Sequence, residues 1–424
     1  MISKNHQAII ELPASKSIGA RFLVATYFAG TLPADPYFDD NDDLMVLQQA
    51  LLNLYSDEQP IDYGETPIDV HASGTAFRFL TAVCASTPGA DFVITGTPRL
   101  CERPMQPLIE VLRNAGAIIE PQGKESLGPY RVAGKHLEGG EFSIRGDISS
   151  QFISALMLSA PSWIHGMKLN FTTHLVSRPY LEMTAKLMAK FGVAVKLSDD
   201  YVEVNTGKYI EPEDFKVESD WSAASFFYEA CAIAEKTIFI NGLIPPPESL
   251  QGDAAVSSLF ERLGVKSEFT ETGVSINYEP SSANNQINLD FSDNPDIVLP
   301  YSLTCLCNDR NFRFTGIRTL RHKECDRIEA LVKESAKLGY EITAGDDHIE
   351  WTGKRLPLHD NIVIETYDDH RVAMSFAIAA LKMSEVRIIN PDCVNKSFVR
   401  FWEQLPKLGL ICELHEDVMS VRKI

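Results

Sequence analysis

Hydrophobic and polar positions recur along this chain with a period of about 70 residues. Six nearly uncharged apolar stretches of helix length begin at polar positions near Ser15, Gly74, Ser149, Ser219, Asp296 and Asp369, at intervals of 59 to 77 residues. Such stretches predict buried helices, because no polar face remains for water. A second mark follows each one, an amphipathic helix pattern that stops at a glycine and runs into a strand-like segment. The glycines are Gly116, Gly192, Gly264, Gly339 and Gly409, spaced 70 to 76 residues apart, and each suits the left-handed C-cap of a helix. Leu44 to Ser56 reads as the first amphipathic member, without its glycine. Six repeats of strands, one buried helix and one amphipathic helix fill the chain, most simply as two closed domains of three. Pro280 to Asn288 reads as a loop, and Phe38 to Leu44 as a solvated acidic helix start carrying an N-cap.

With 424 residues, 45% of them hydrophobic, the chain is long enough for two or three cored domains. A formal charge of -19 argues against nucleic acid and anionic membrane as partners, since both demand a basic footprint. Eight scattered cysteines without a Cys-x-x-Cys pair predict a reducing cytosol, with neither a disulfide framework nor a zinc knuckle. The start, MISKNHQAIIELPASKS, lacks the apolar core of a signal peptide, and no apolar run is long enough to span a bilayer.

The chemistry sits at the starts of the buried helices. Free N–H groups and the positive end of the helix dipole make such a start a seat for phosphate or carboxylate. Lys16, Ser17 and Arg21 occupy the first start, Gly74, Thr75 and Arg78 the second, and Ser149, Ser150 and Gln151 the third. Arg99 and Arg103 precede a further helix, and Arg103 has the fork geometry to hold a carboxylate or phosphate. Cys101 has no histidine near it in sequence to activate it and reads as a passive loop cysteine. The densest cluster packs Arg321, His322, Lys323, Glu324, Asp326 and Arg327 just before a helix. Cations there oppose the helix dipole, which points to a bound anion. Arg371 and Lys396 add two more positive groups, and His370 has no partner at metal-ligand spacing.

In order along the chain, the segments PASKSIGAR, SGTAFR, ERPM, SSQF, SRPY, ESDWSAAS, NPD, KECDR, DDHR and DCVNKSF resemble the 5-enolpyruvylshikimate-3-phosphate synthase family. The resemblance implies a two-domain inside-out α/β barrel with three βαβαββ units per domain. It implies domains of residues 15–217 and of residues 1–14 with 218–424, the N-terminal strand joining the second. The family's substrates are shikimate 3-phosphate and phosphoenolpyruvate, and no cofactor or metal is implied. Carried over by position, Lys16, Ser17, Arg21, Ser149, Ser150, Gln151, Ser177, Asp296 and Lys323 bind shikimate 3-phosphate, with Tyr180 beside them. Lys16, Gly74, Arg103, Gln151, Arg327, Arg371 and Lys396 bind phosphoenolpyruvate, with Thr75 against it. Lys16, Asp296 and Glu324 are the catalytic residues, and the two domains are expected to close on substrate.

The chain departs from the family pattern at Ala14, Ala20, Ala72, Phe79 and Thr319, and its segment between Arg21 and Ala72 is shorter than usual. Ala72 and Phe79 border the expected phosphoenolpyruvate pocket, so glyphosate sensitivity does not follow from the resemblance. The rivals are the enolpyruvyl transferase acting on UDP-N-acetylglucosamine, a nucleic-acid end-processing protein and a non-catalytic anion-binding relative. A cytoplasmic monomer is expected.

Overall fold

The computed structural model describes residues 7–38, 40–54, 67–124, 127–280 and 286–424. The chain divides into two compact units, Lys16–Val217 and a second made of Met1–Ser15 with Glu218–Ile424. Ser15 falls in the second because its backbone N–H donates to the Glu218 carbonyl at 2.8 Å, next to a bridge between Ala14 and Ser219.

The second, C-terminal unit holds three four-stranded sheets. Their strand orders are Ala8–Ile10, Ile238–Asn241, Gly273–Tyr278, Val265–Thr270; then Gln286–Asp290, Asn311–Thr315, His348–Trp351, Thr343–Ala344; then Val363–Ile364, Glu385–Ile389, Val418–Lys423, Leu410–His415. In each sheet the first pair is parallel and the other two pairs are antiparallel, which is the pairing a βαβαββ unit gives. The buried helices Trp221–Ala234, Val298–Cys307 and His370–Ile378 pack on one another at the centre. Every residue of the last two is buried, as their apolar sequences require, and the one charged residue, Arg371 in the first turn of the third helix, is paired with Asp296. The strand Ala8–Ile10 enters this unit by pairing in parallel with Ile238–Ile240.

In the N-terminal unit two such sheets lie among the described residues. Their orders are Ile68–Asp69, Asp91–Thr95, Tyr130–Ala133, Ile118–Pro121 and Gly140–Ile144, Met167–Phe171, Tyr201–Val204, Val195–Leu197. The buried helices Lys16–Ala29, Gly74–Ala85 and Ser150–Ser159 pack together. The shortened segment belongs to the first repeat. After Lys16–Ala29 the chain runs without a strand to Phe38 and then forms the helix Asp42–Asn53. Hydrogen bonds from one side chain hold this stretch: Gln48 accepts from Tyr37 N–H at 3.0 Å and donates to the carbonyls of Pro33 and Asp35 at 2.8 and 2.7 Å. Aromatic rings add packing, Phe22 lying parallel to Phe215 at 5.6 Å and edge-on to Phe38.

The five cap glycines all adopt positive φ, between 83° and 107°. Two expectations are corrected. Residues 281–285 lie outside the described residues, but Gln286–Asp290 is an edge strand rather than a loop. Its polar residues alternate with Ile287 and Leu289, so one face is wet, and the polar half masked the strand. The acidic helix start is capped as expected, Asn41 accepting from Leu44 N–H at 3.2 Å, but Asn41 and Asp43 are buried rather than solvated. Asp39, Tyr55 and Ser56 lie outside the described residues.

Gln48→Ala removes three part-buried hydrogen bonds that tie down this stretch, at a cost of about 1–3 kcal/mol. A lower urea midpoint for the N-terminal unit and faster proteolysis within residues 30–38 are expected. An unchanged midpoint would mean that the aromatic packing alone holds this segment.

Candidate active site

In the C-terminal unit the site is built on the starts of two helices. The helix Arg327–Lys337 is capped by Asp326, whose carboxylate accepts from the N–H groups of Ile328 and Glu329 at 3.1 Å. The helix His370–Ile378 is capped by Asp369, which accepts from Arg371 N–H at 2.9 Å. A third start, that of Val298–Cys307, is preceded by the short turn Pro295–Ile297, which carries Asp296.

These starts converge on Arg327. Its guanidinium, 2% exposed, donates to Asp369 at 2.7 and 3.3 Å, to Asp296 at 2.9 Å and to Glu324 at 2.9 Å. Burial opposes the charge on Arg327, but the carboxylates of Asp369, Glu324 and Asp296 outweigh it and raise its pKa well above the ordinary value. The cationic helix start therefore has its compensation within the protein. Arg371 donates to the Asp296 carboxylate at 3.0 Å and to its backbone carbonyl at 3.3 Å, and Lys323 lies 3.6 Å from the same carboxylate. Lys396, at the end of the turn Pro391–Lys396, stands 3.4 Å from Glu324. Burial favours the neutral form of Asp296, yet Arg371, Lys323 and Arg327 override it and hold the carboxyl far below the usual carboxylate range.

Behind Asp296 lies a second buried carboxyl group, Asp253. Ser222 donates to it, and Asn294 donates to it at 3.3 Å and to the Gly252 carbonyl at 3.1 Å. Burial, then the charge of Asp296, push the Asp253 carboxyl up. The turn bearing Asp296 is thus tied at Asn294, two residues upstream.

In the N-terminal unit the expected residues also gather at helix starts. Gln151 donates to the Thr75 hydroxyl at 3.0 Å, joining the start of Ser150–Ser159 to that of Gly74–Ala85. Ser149 caps the former, its hydroxyl accepting from Gln151 N–H at 3.3 Å. A Cβ on Gly74 would meet Arg78 and Arg103 at 2.5 and 2.6 Å, so glycine is what lets both guanidinium groups lie against the backbone there. Arg78 itself donates to the Gly74 carbonyl at 2.7 Å and stacks over Phe152. Ser177 is brought beside the Ser149 turn by Val176 N–H donating to the Gly146 carbonyl, and by Thr173, which accepts from Gly146 N–H and donates to Asp147. Ser177 adopts φ 55° at the start of Arg178–Lys190, with its hydroxyl making no capping bond.

Lys16 opens its helix 3.2 Å from Asp43, and Ser17 follows in the same turn. Arg21 sits deeper. Its guanidinium donates to Thr184 and Ser154 at 2.7 and 3.0 Å and to the carbonyls of Ser17 and Tyr180 at 2.8 and 3.3 Å. Phe79, one of the departures from the family pattern, lies under this guanidinium with its ring centre 5.5 Å away. Burial pulls the Arg21 pKa down to about 10, with Tyr180 opposing, so it is still a cation at neutral pH. The Cys101 thiol is buried and donates to the Gly96 carbonyl at 3.6 Å.

Sequence reasoning assigned no role to Asp43, Asp253 or Asp369. Asp369 had a usable signal, its place at a helix start two residues before Arg371. Among the described residues no group of three or more His, Cys, Asp or Glu could hold a metal ion, and no helix is long and apolar enough to cross a membrane.

The buried ions set a pH dependence. A carboxyl group whose folded pKa is depressed contributes stability that is complete above its unfolded value, near 3.9, and is lost as pH falls below it. The stability advantage of the parent over Asp296→Asn is therefore full at neutral pH and shrinks below about pH 4. Urea midpoints at pH 7, 5 and 3.5 check this; a constant difference would show that the three cations do not hold the carboxylate ionised.

The sequence profile of the family described as EPSP synthase (3-phosphoshikimate 1-carboxyvinyltransferase) matches residues 2–405. A Bacteroides fragilis protein named 3-phosphoshikimate 1-carboxyvinyltransferase is 40% identical over 414 residues, covering 97% of each chain. One of the same name from Pseudoalteromonas atlantica is 32% identical, covering 94% of this chain and 96% of its own. Among solved structures, an EPSP synthase from Acinetobacter baumannii superposes with a TM-score of 0.71 at 22% identity, over 97% of this chain and 98% of its own, and so shares the fold. From a match over nearly its whole length, the chain belongs to the EPSP synthase family.

Proposed function

We propose that this protein transfers the enolpyruvyl group of phosphoenolpyruvate to the 5-hydroxyl of shikimate 3-phosphate, with release of phosphate. The observation that carries the reading is the Arg327 cluster, in which the acid–base carboxylates Asp296 and Glu324 share one buried cation with the anion-binding side chains around it. Both substrates are multiply charged anions, and Lys323, Arg327, Arg371 and Lys396 supply the charge to hold them.

Asp296 takes the proton of the 5-hydroxyl as its oxygen bonds to C2 of phosphoenolpyruvate. Glu324 delivers a proton to C3, giving a tetrahedral adduct. The C2–O bond to phosphate then breaks, the hydroxyl proton leaving with the phosphate, and the methyl group at C3 returns a proton to Glu324 with the help of Asp296 as the enol ether forms. In the N-terminal unit Lys16 balances the charge of the departing phosphate, and Arg103 and Gln151 hold phosphoenolpyruvate with it. Ser17, Arg21, Ser149, Ser150 and Ser177 bind shikimate 3-phosphate, Arg21 through the Ser17 turn that it braces. Asp296 and Glu324 share Arg327, so their proton-transfer roles are coupled. Support for a cytosolic setting comes from the free thiols, none in a disulfide among the described residues. We take the working form to be a monomer.

The test is inorganic phosphate release with both substrates and no added metal. Release dependent on both supports the reading; none from folded protein overturns it. Glu324→Gln should abolish solvent-deuterium exchange into C3, and normal exchange would refute the role of Glu324. Cys101→Ala should keep activity within about twofold, as expected of a buried thiol bound to a carbonyl. A loss of several hundredfold would overturn the reading of Cys101 as passive.

A further inference from the structure

Asp369 must hold one orientation, because the same carboxylate caps the helix that carries Arg371 and binds Arg327 through two bonds. The chain that delivers it is unusual. Tyr367 and Asp368 both adopt left-handed backbone conformations, with φ 53° and 57°. Two such residues in succession, neither of them glycine and one aromatic, persist only where their surroundings fix them.

Hydrogen bonds on both sides of this turn fix them. Asn390 donates to the Asp368 carboxylate, and Thr366 donates to the Ile389 carbonyl at 2.9 Å. The Tyr367 hydroxyl donates at 2.8 Å to Glu334, a buried residue of the helix Arg327–Lys337. The other oxygen of Glu334 accepts from the Glu365 backbone N–H at 3.0 Å and from Lys337 at 2.6 Å. Lys337 in turn donates to the Val363 carbonyl at 2.8 Å. Glu334 lies two helical turns beyond Arg327, so one helix grips the 363–369 segment at two places. At its start Arg327 binds Asp369, and further along Glu334 binds Glu365 and Tyr367. With both grips made, the segment has one position along the helix, and Asp369 faces Arg327 and Arg371 together.

We propose that Glu334 and Tyr367 are positioning residues for phosphoenolpyruvate, which brace the 363–369 segment so that Asp369 aligns Arg327 and Arg371. This rests on the functional reading above, in which those two arginines bind phosphoenolpyruvate. Neither residue touches substrate in it. Tyr367→Phe deletes one oxygen, and Glu334→Gln keeps the shape but weakens the acceptor.

Steady-state kinetics of the parent, the two single variants and the double variant test the inference. Tyr367→Phe is expected to raise KM for phosphoenolpyruvate roughly tenfold, the size of one charge-assisted hydrogen bond. KM for shikimate 3-phosphate should stay within about twofold. Because both changes break one brace, the double variant should be no worse than about twofold beyond the worse single. Equal rises in both KM values, additive losses, or unchanged kinetics in a variant whose circular dichroism matches the parent would each overturn the inference and reduce the brace to a packing feature. If Glu334→Gln fails to fold, Tyr367→Phe alone decides through the split between the two KM values. A parent without phosphate release overturns the functional reading and the inference with it, whereas an active parent with an unaltered Tyr367→Phe variant overturns only the inference.

Discussion

A buried guanidinium cannot stand alone, and in the C-terminal unit most of the site follows from that constraint at Arg327. Its side chain is withdrawn from water, where an uncompensated charge would cost several kcal/mol. Three carboxylates from three places in the sequence, Asp296, Glu324 and Asp369, converge to meet it. Each comes from the beginning of a helix or from the turn just before one, so satisfying one arginine aligns three helical elements. Breaking one such pair leaves a charge without compensation, which is why removal of a partner is costlier than the pair's net contribution. The chemistry is laid on this framework, since the carboxylates that satisfy Arg327 include both proposed proton-transfer groups.

The N-terminal unit answers the same need differently. Here the polar ends of the buried helices are tied by neutral groups: Gln151 to Thr75, Thr173 to the Gly146 N–H, and Ser149 to its own helix. Arg21 is satisfied by hydroxyls and carbonyls alone. Burial therefore lowers its pKa, while Arg327 among carboxylates is driven the other way. One unit sets Arg21 against neutral dipoles, with Lys16 beside a carboxylate, and the other sets its cations against fixed anions. An incoming phosphate competes with nothing of its own sign among the partners of Arg21, but at Lys16 it meets the Asp43 carboxylate. In the other unit it must compete with Asp296 and Glu324, a condition that suits the proton exchange proposed for them.

Much of the fold was legible because it is repeated. The buried helices begin within two residues of the polar positions that mark them, at Lys16, Gly74, Ser150, Trp221, Val298 and His370, and the cap glycines have the expected backbone sign. The edge strand Gln286–Asp290 was not legible, because its outward residues are polar and the strand is only five residues long. Neither was the strandless run to Phe38, since an amide that holds carbonyls thirteen and fifteen residues away leaves no periodic trace. At the site, residue types and order were readable, but pairings were not. Lys16 with Asp43 and Arg371 with Asp296 join positions 27 and 75 residues apart, and only the closed repeats bring them together.

Net charge is the last point on which sequence and site must agree. A chain of formal charge -19 repels its own class of substrate unless the positive groups are concentrated and the negative ones dispersed or neutralised. Around Arg327 that balance is local: Lys323, Arg327, Arg371 and Lys396 stand against the carboxylates Asp296, Glu324 and Asp369, leaving one positive charge in excess. Asp253 lies behind this cluster, where burial, then the charge of Asp296, push its carboxyl up. At short range in a partly buried site these charges interact more strongly than screened surface groups, so the cluster sets the field an anion meets locally while the surface sets it at a distance. Acidity over the whole chain and anion chemistry at its core are thus compatible, because the distance scale over which each acts is different.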